Sequence, residues 1–216
     1  MKQIFTTAIL ILFSLPLMAQ NQSQSFVQND ALNFNRSTQT LLSGATSYGG
    51  FGSLIYGVSH INGQSVFMDG RRFGLIINIR PEHSINLVYA NYRSGSDFDP
   101  ASWNIGNVTQ PQMEMSYSGF ELEYVNRTRN LVHFGGQLLI GSGSIQFDNR
   151  NILVEKTKDN WLAIQPGINV NLNVTTWMRI SAGGFYRFAQ NVNLEGTSDQ
   201  DLSGFSALFG IRFGHF

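Results

Sequence analysis

The chain has 216 residues, only 13% of them charged, a formal net charge of zero at neutral pH, and no cysteine. These values exclude a basic nucleic-acid-binding surface. They also exclude disulfides, thiolate metal centres, a cysteine nucleophile and a lipid-bearing cysteine behind a leader.

Residues 1–19, MKQIFTTAILILFSLPLMA, read as a secretory signal peptide. Lys2 supplies the positive start, Ala8 to Leu17 the apolar run, and Ala19 the small residue before the cut. Leu17, three places before that cut, is larger than the usual residue there. The apolar run is short for a membrane-spanning helix of about 20 residues. Residues 20–47 form a polar N-terminal arm rich in Gln, Asn, Ser and Thr, in which Asp30 to Leu42 suits either a short helix or a flexible segment.

From residue 48 to 216 the pattern changes to period two, interrupted by turn residues. Eight strands are predicted, at 48–60, 64–79, 84–92, 113–125, 131–147, 161–172, 177–188 and 202–213. From the second connection onward, short and long links alternate. RPEH, NRTRN and NVTT are short, whereas 93–112, 148–160 and 189–201 are long; ING at 61–63 is the one short link on the long side. Strict alternation is the mark of an all-β, eight-stranded antiparallel up-and-down transmembrane β-barrel, with short periplasmic turns and longer external loops.

Six of the strands sort into two faces, and the first and third are less clean. Leu162, Ile164, Pro166, Ile168, Val170 and Leu172 share one side of the sixth, against Ala163, Gln165, Gly167, Asn169 and Asn171. The last gives Phe205, Ala207, Phe209, Ile211 and Phe213 against Ser206, Leu208, Gly210, Arg212 and Gly214. A soluble barrel would point the apolar face inward and crowd its exterior with Lys and Glu. Here the polar face is glycine-rich with isolated charges, and the only lysines after the leader, Lys156 and Lys158, fall in a long link. The apolar faces are free of charge apart from rim positions such as Asp69, Arg71 and Glu114. They are therefore expected to face lipid. Pro166, lacking a backbone N–H, predicts a bulge or gap in the ladder.

Eight strands enclose only enough room for side chains. The inward charges are Arg72, Glu121, Glu123, Arg179, Arg187 and Arg212, an excess of two positive. An unpaired buried charge costs several kcal/mol, so these residues are expected to form an internal Glu–Arg cluster that fills the lumen.

With the strands placed, the chain resembles the small outer-membrane β-barrel proteins of the Bacteroidota. The resemblance rests on the signal ending Met18-Ala19-Gln20, YGGFG at Tyr48 to Gly52, INGQSVFMDGRRFGLIIN at Ile61 to Asn78, and the FGIRFGHF close; it spans about residues 48–216. It implies the barrel-assembly machinery as a partner during biogenesis. Phe216 departs from it, being out of phase with Phe205 to Phe213, which predicts a bulge or a strand end before His215.

Catalytic parts do not assemble in the pattern. His60 and His83 fall at strand ends, His215 at the terminus and His133 inside near the periplasmic rim, with no Ser–His–Asp set at the external rim. Asp97 and Asp99 are too few for a Ca²⁺ site. GSGS at Gly141 to Ser144 opens no helix and so makes no phosphate loop. Trp103 lies in a loop, while Trp161 and Trp177 suit interfacial belts on opposite rims. The expected protein is a non-enzymatic outer-membrane barrel without cofactor or metal. Its external loops 93–112, 148–160 and 189–201 serve a structural or surface-interaction role, with outer-membrane lipid and lipopolysaccharide as partners and no nucleic acid. The competing functions are a narrow pore, a lipid-modifying enzyme and a secreted ligand-binding barrel.

Overall fold

A computed structural model describes residues 47–80, 82–94, 112–148, 158–194 and 197–216. Eight strands run β1 (Ser47–Ile61), β2 (Gln64–Arg80), β3 (His83–Ser94), β4 (Gln112–Asn126), β5 (Val132–Asp148), β6 (Lys158–Asn173), β7 (Met178–Gln190) and β8 (Gly204–His215). Each pairs antiparallel with its neighbours in sequence, and β1 closes on β8 through ten register pairs from Gly50↔His215 to Ser59↔Ser206. Closure leaves no open strand edge. The eight-stranded up-and-down barrel expected from the sequence is the observed fold.

The hairpin between β1 and β2 is a two-residue turn, Asn62 and Gly63, with φ of 48° and 75°. These left-handed angles match the twist of the flanking strands and suit the Asn-Gly pair. It lies at the end of the barrel where β3, β5 and β7 finish and β4, β6 and β8 begin, the end that the long links join. At the other end the links 81–82, 127–131 and 174–177 are tied together: Thr128 N–H donates to Glu82 O at 3.1 Å, and Asn173 Nδ2 donates to Thr128 O and Asn130 O at 2.9 and 2.7 Å.

Several boundaries differ from the sequence expectation. Ser47 already belongs to β1, and β6 begins at Lys158, so that lysine stands on a strand. GSGS lies within β5, as the strand expected at 131–147 already has it, and strand pairing fixes it. The stretch before β8 forms a one-turn helix, α1 (Asp199–Leu202), because Ser198 and Asp201 make a reciprocal capping box. Pro166 interrupts the β6–β7 ladder between Ile164↔Phe188 and Gly167↔Phe185, and the register resumes unshifted, a gap without a bulge. Residues 1–46, with the leader and most of the arm, together with Asp97, Asp99, Trp103 and Lys156, lie outside the described residues.

The faces fall as the period predicts. Phe73, Leu75, Phe120, Leu122, Phe134, Ile140, Ile168, Phe205 and Phe213 all stand exposed on the outer wall, Phe120 at 77% and Ile168 at 73%. Inside, the half nearer the long links is an apolar core containing Met68, Met113, Met115, Leu139, Ile145, Trp161, Leu194 and Leu202. Near the short turns Phe51, Ile76 and Val88 pack with Phe216. The interior is thus more apolar than a list of its charges suggests.

Two aromatic placements correct the sequence reading. Trp161 is 2% exposed and points inward, its indole lying over Gly143, where a Cβ would collide with it. It cannot serve an interfacial belt; the pleat places it on the same side as Ala163 and Gln165. Trp177 is exposed at the short-turn rim and stacks on Phe213 at 5.9 Å. Phe216 is out of phase because it follows the inward set Arg212 and Gly214, and β8 reaches His215 without a bulge.

Candidate functional site: the charged layer in the lumen

Alternation alone carries six polar side chains from five strands to one level of the lumen: Arg72 on β2, Glu121 and Glu123 on β4, Gln137 on β5, Asn169 on β6 and Arg212 on β8. Asn86 of β3 joins them. Arg212 grips Glu123 through two parallel hydrogen bonds, Nη2 to Oε1 at 2.8 Å and Nη1 to Oε2 at 2.9 Å. Arg72 hydrogen-bonds Glu121 and approaches Glu123 Oε2 to 3.5 Å. The remaining carboxylate lone pairs are met by amides. Gln137 Nε2 donates to Glu121 Oε2, Asn169 Nδ2 to Glu123 Oε1, and Asn86 Nδ2 to Glu123 Oε2, each at 2.9 Å.

This arrangement contains two guanidiniums and two carboxylates, so its formal charge balances. Desolvating four ions is expensive, and the geometry offsets part of it because each carboxylate oxygen has at least one donor. Arg72 Nε, Arg212 Nε and Asn86 Oδ1 are buried without a hydrogen-bond partner among the described residues. The Phe51 ring lies 6.0 Å from the Arg72 guanidinium and 5.0 Å from that of Arg212, walling the layer from below. The void beside Arg72, Asn169, Ser181 and Arg212 measures about 10 Å³, room for roughly one water.

Arg179 and Arg187 are not part of this layer. Arg187, fully buried, donates from Nε to Leu202 O at 2.8 Å and from Nη1 to Ser59 Oγ at 3.0 Å, and lies 5.4 Å from the Tyr117 ring. It fastens the link carrying α1 to β1. Arg179 sits at the short-turn end with its guanidinium 3.9 Å from the Phe216 ring and Nη2 donating to Thr128 O at 3.4 Å. Carbonyls, a hydroxyl and aromatic faces accommodate these two cations where a single expected cluster would have used carboxylates.

Asn86, Gln137 and Asn169 complete the layer without having been singled out. The last two carry a readable signal, amides on the inward side of strands whose other side is apolar. His133 is buried near the short turns, with Nδ1 3.2 Å from Asn130 O. Among the described residues no group of three His, Cys, Asp or Glu side chains gathers as a metal-ligand set. The layer offers no nucleophile–base pair; ion pairing, packing and blockage are what it can do chemically.

The fold places the chain in the class of small eight-stranded outer-membrane-type β-barrels. Among solved structures it is similar to Ail, the attachment invasion locus protein of Yersinia pestis, with a TM-score of 0.51 and 13% identity, covering 77% of this chain and 97% of that one. The same protein in complex with the heparin analogue sucrose octasulfate gives a TM-score of 0.52 at 15% identity, over the same shares. Neisserial surface protein A gives 0.48 at 14%, covering 79% of this chain and 99% of its own. No family model and no curated protein matches the sequence.

Proposed function

We propose that the chain is a closed, non-conducting barrel of the outer membrane, exported by the cleaved leader 1–19. In this reading it is inserted by the barrel-assembly machinery and acts through its external loops as a structural or surface-interaction protein. The observation that carries this reading is the filled lumen: a charge-balanced layer, an apolar core above it and Phe216 below, with room for about one water between. A lumen so filled leaves the loops and the outer wall as the surfaces that can meet other molecules. The outward ring of exposed Phe, Leu and Ile supports lipid as the surrounding medium. Ail, of the same fold, carries attachment in its name and has been seen with a sulfated sugar, which supports surface interaction as the class of role.

Planar-bilayer recording of the reconstituted protein tests this. A closed barrel gives no steady conductance above the lipid background. Stable unit conductances that change on substitution of Arg72 or Arg187 would make it a narrow pore.

A further inference from the structure

The outward face of β2 reads, from the long-link end, Phe67, Asp69, Arg71, Phe73 and Leu75. Phe67, Phe73 and Leu75 are exposed apolar side chains, so the charged pair interrupts an apolar wall that resumes beyond it. Toward β1 the notch is bounded by Leu54 opposite Arg71, and by Tyr56, which stacks on Phe67 at 6.3 Å. Toward β3 and β4 it stays polar: Asn91 then Ser118 stand in the row of Arg71, and Arg93 then Ser116 in the row of Asp69. One outward row nearer the short turns is apolar again, with Phe73, Tyr89 and Phe120 side by side. Tyr186, Phe205 and Tyr56 hold the corresponding wall of β7, β8 and β1, whereas the polar rows run on from Ser118 and Ser116 to Ser142 and Ser144 of β5.

Inside the notch Arg93 lies 3.6 Å from Asp69. Arg71 is exposed, and no carboxylate of the described residues lies within ion-pair distance of it. A guanidinium does not shed its proton to suit its surroundings, so at the rim of the apolar wall Arg71 presents a fixed positive charge that an anion from outside the chain can meet. We infer that the notch binds the phosphate of an outer-leaflet glycolipid of the lipid A kind, with Arg71 on the phosphate oxygens and Asn91 and Ser118 donating beside it. This rests on the outer-membrane reading above.

The chemistry selects that occupant. A planar fork of donors matches phosphate, and amide and hydroxyl donors in the same row extend it. The notch lies in the half of the wall nearer the long links, which in this reading is the outer leaflet, where such glycolipids reside. A second copy of the chain fits less well, because Asp69, the carboxylate it would present beside Arg71, is already engaged by Arg93.

The test titrates the full-length protein in detergent micelles with lipid A and with lipid A stripped of its phosphates. Wild type should bind lipid A, and the Arg71→Ala/Arg93→Ala variant about tenfold more weakly, equivalent to about 1.4 kcal/mol. Dephosphorylated lipid A should bind both equally weakly. Arg71→Gln, which keeps most of the side chain, replaces the double variant if that fails to fold, and should show the same loss. Equal binding by wild type and a folded variant overturns the site. A wild-type dimer that the substitutions split assigns the notch to a second copy and also overturns it. If wild type does not partition into membranes at all, the outer-membrane reading fails first; a membrane-embedded wild type indifferent to phosphate sinks the site alone.

Discussion

Arg212 on β8 and Glu123 on β4 meet across the full width of the lumen in a two-bonded clamp, 2.8 and 2.9 Å, with both side chains out of reach of solvent. Neither β4 nor β8 neighbours the other in the sheet, so this clamp is a strut across the barrel. Arg72, through Glu121, makes a second strut beside it.

Removing one end of a strut should therefore hurt more than removing both. Arg212→Met leaves Glu123 buried without its two-bonded partner, with only Arg72 at 3.5 Å and the Asn86 and Asn169 amides beside it, and is expected to destabilise by about 3–5 kcal/mol. Combining it with Glu123→Leu should recover most of that loss, since a well-packed apolar pair avoids desolvating ions. Urea unfolding from detergent micelles or lipid vesicles measures both, and a double variant no better than the single would contradict the strut account.

Arg187 predicts a local effect. Its bonds to Leu202 O and Ser59 Oγ hold the link 191–203 on the barrel mouth, where Leu202 is fully buried. Arg187→Met should cost about 2 kcal/mol, the scale of hydrogen bonds from a charged donor. Limited proteolysis should cut the variant within this link while the wild type resists. Uncut variant protein would show that the apolar contacts of Leu194 and Leu202 suffice.

Gly167 is space reserved for Phe185, whose ring lies where a Cβ would stand. Gly167→Ala should overpack the wall of β6 and lose about 1–3 kcal/mol. Adding Phe185→Leu should relieve part of the loss in the same unfolding assay. A lone Gly167→Ala variant as stable as wild type would mean the ring moves aside freely.

The outer wall makes the opposite forecast to a soluble protein. Phe120 is 77% exposed, and in water its replacement by arginine would be harmless. Facing lipid near the middle of the bilayer, Phe120→Arg should cost about 2–4 kcal/mol, whereas Ser116→Arg, four residues nearer the long-link rim, should cost about 0–1. Refolding into vesicles across a urea series separates the two, and equal small losses would count against a lipid-facing wall.

Much of this was legible because a strand has a period of two, and each residue's side follows from parity alone. That is why the inward positions of Arg72, Glu121, Glu123 and Arg212 could be read before their contacts. Which arginine meets which glutamate depends on the stagger of eight strands around a closed barrel, and no single strand carries that information. Arg179 stands opposite Arg212 in the β7–β8 register, yet its contacts are the Phe216 ring and Thr128 O, and Arg187 bonds Leu202 O and Ser59 Oγ; neither choice of partner is written in parity or depth. For Trp161, parity shared with Ala163 and Gln165 outweighs the preference of tryptophan for interfaces. Phe216 obeyed parity too, but a terminal aromatic residue invites an outward reading. The apolar core near the long links is hidden in sequence because Met113, Met115 and Ile145 sit between outward residues that are themselves polar at that level, so alternation there runs with its usual sense reversed.

The central claim is that the greasy face of each strand touches lipid and the charged layer lies inside. Heat-modifiable migration of the protein in an outer-membrane fraction tests it most directly. The account predicts a compact band that runs faster unheated and shifts to full apparent mass on boiling, all of it in the membrane fraction. Soluble protein in the periplasm or medium, with no shift, would contradict it and invert the assignment of every strand's two faces.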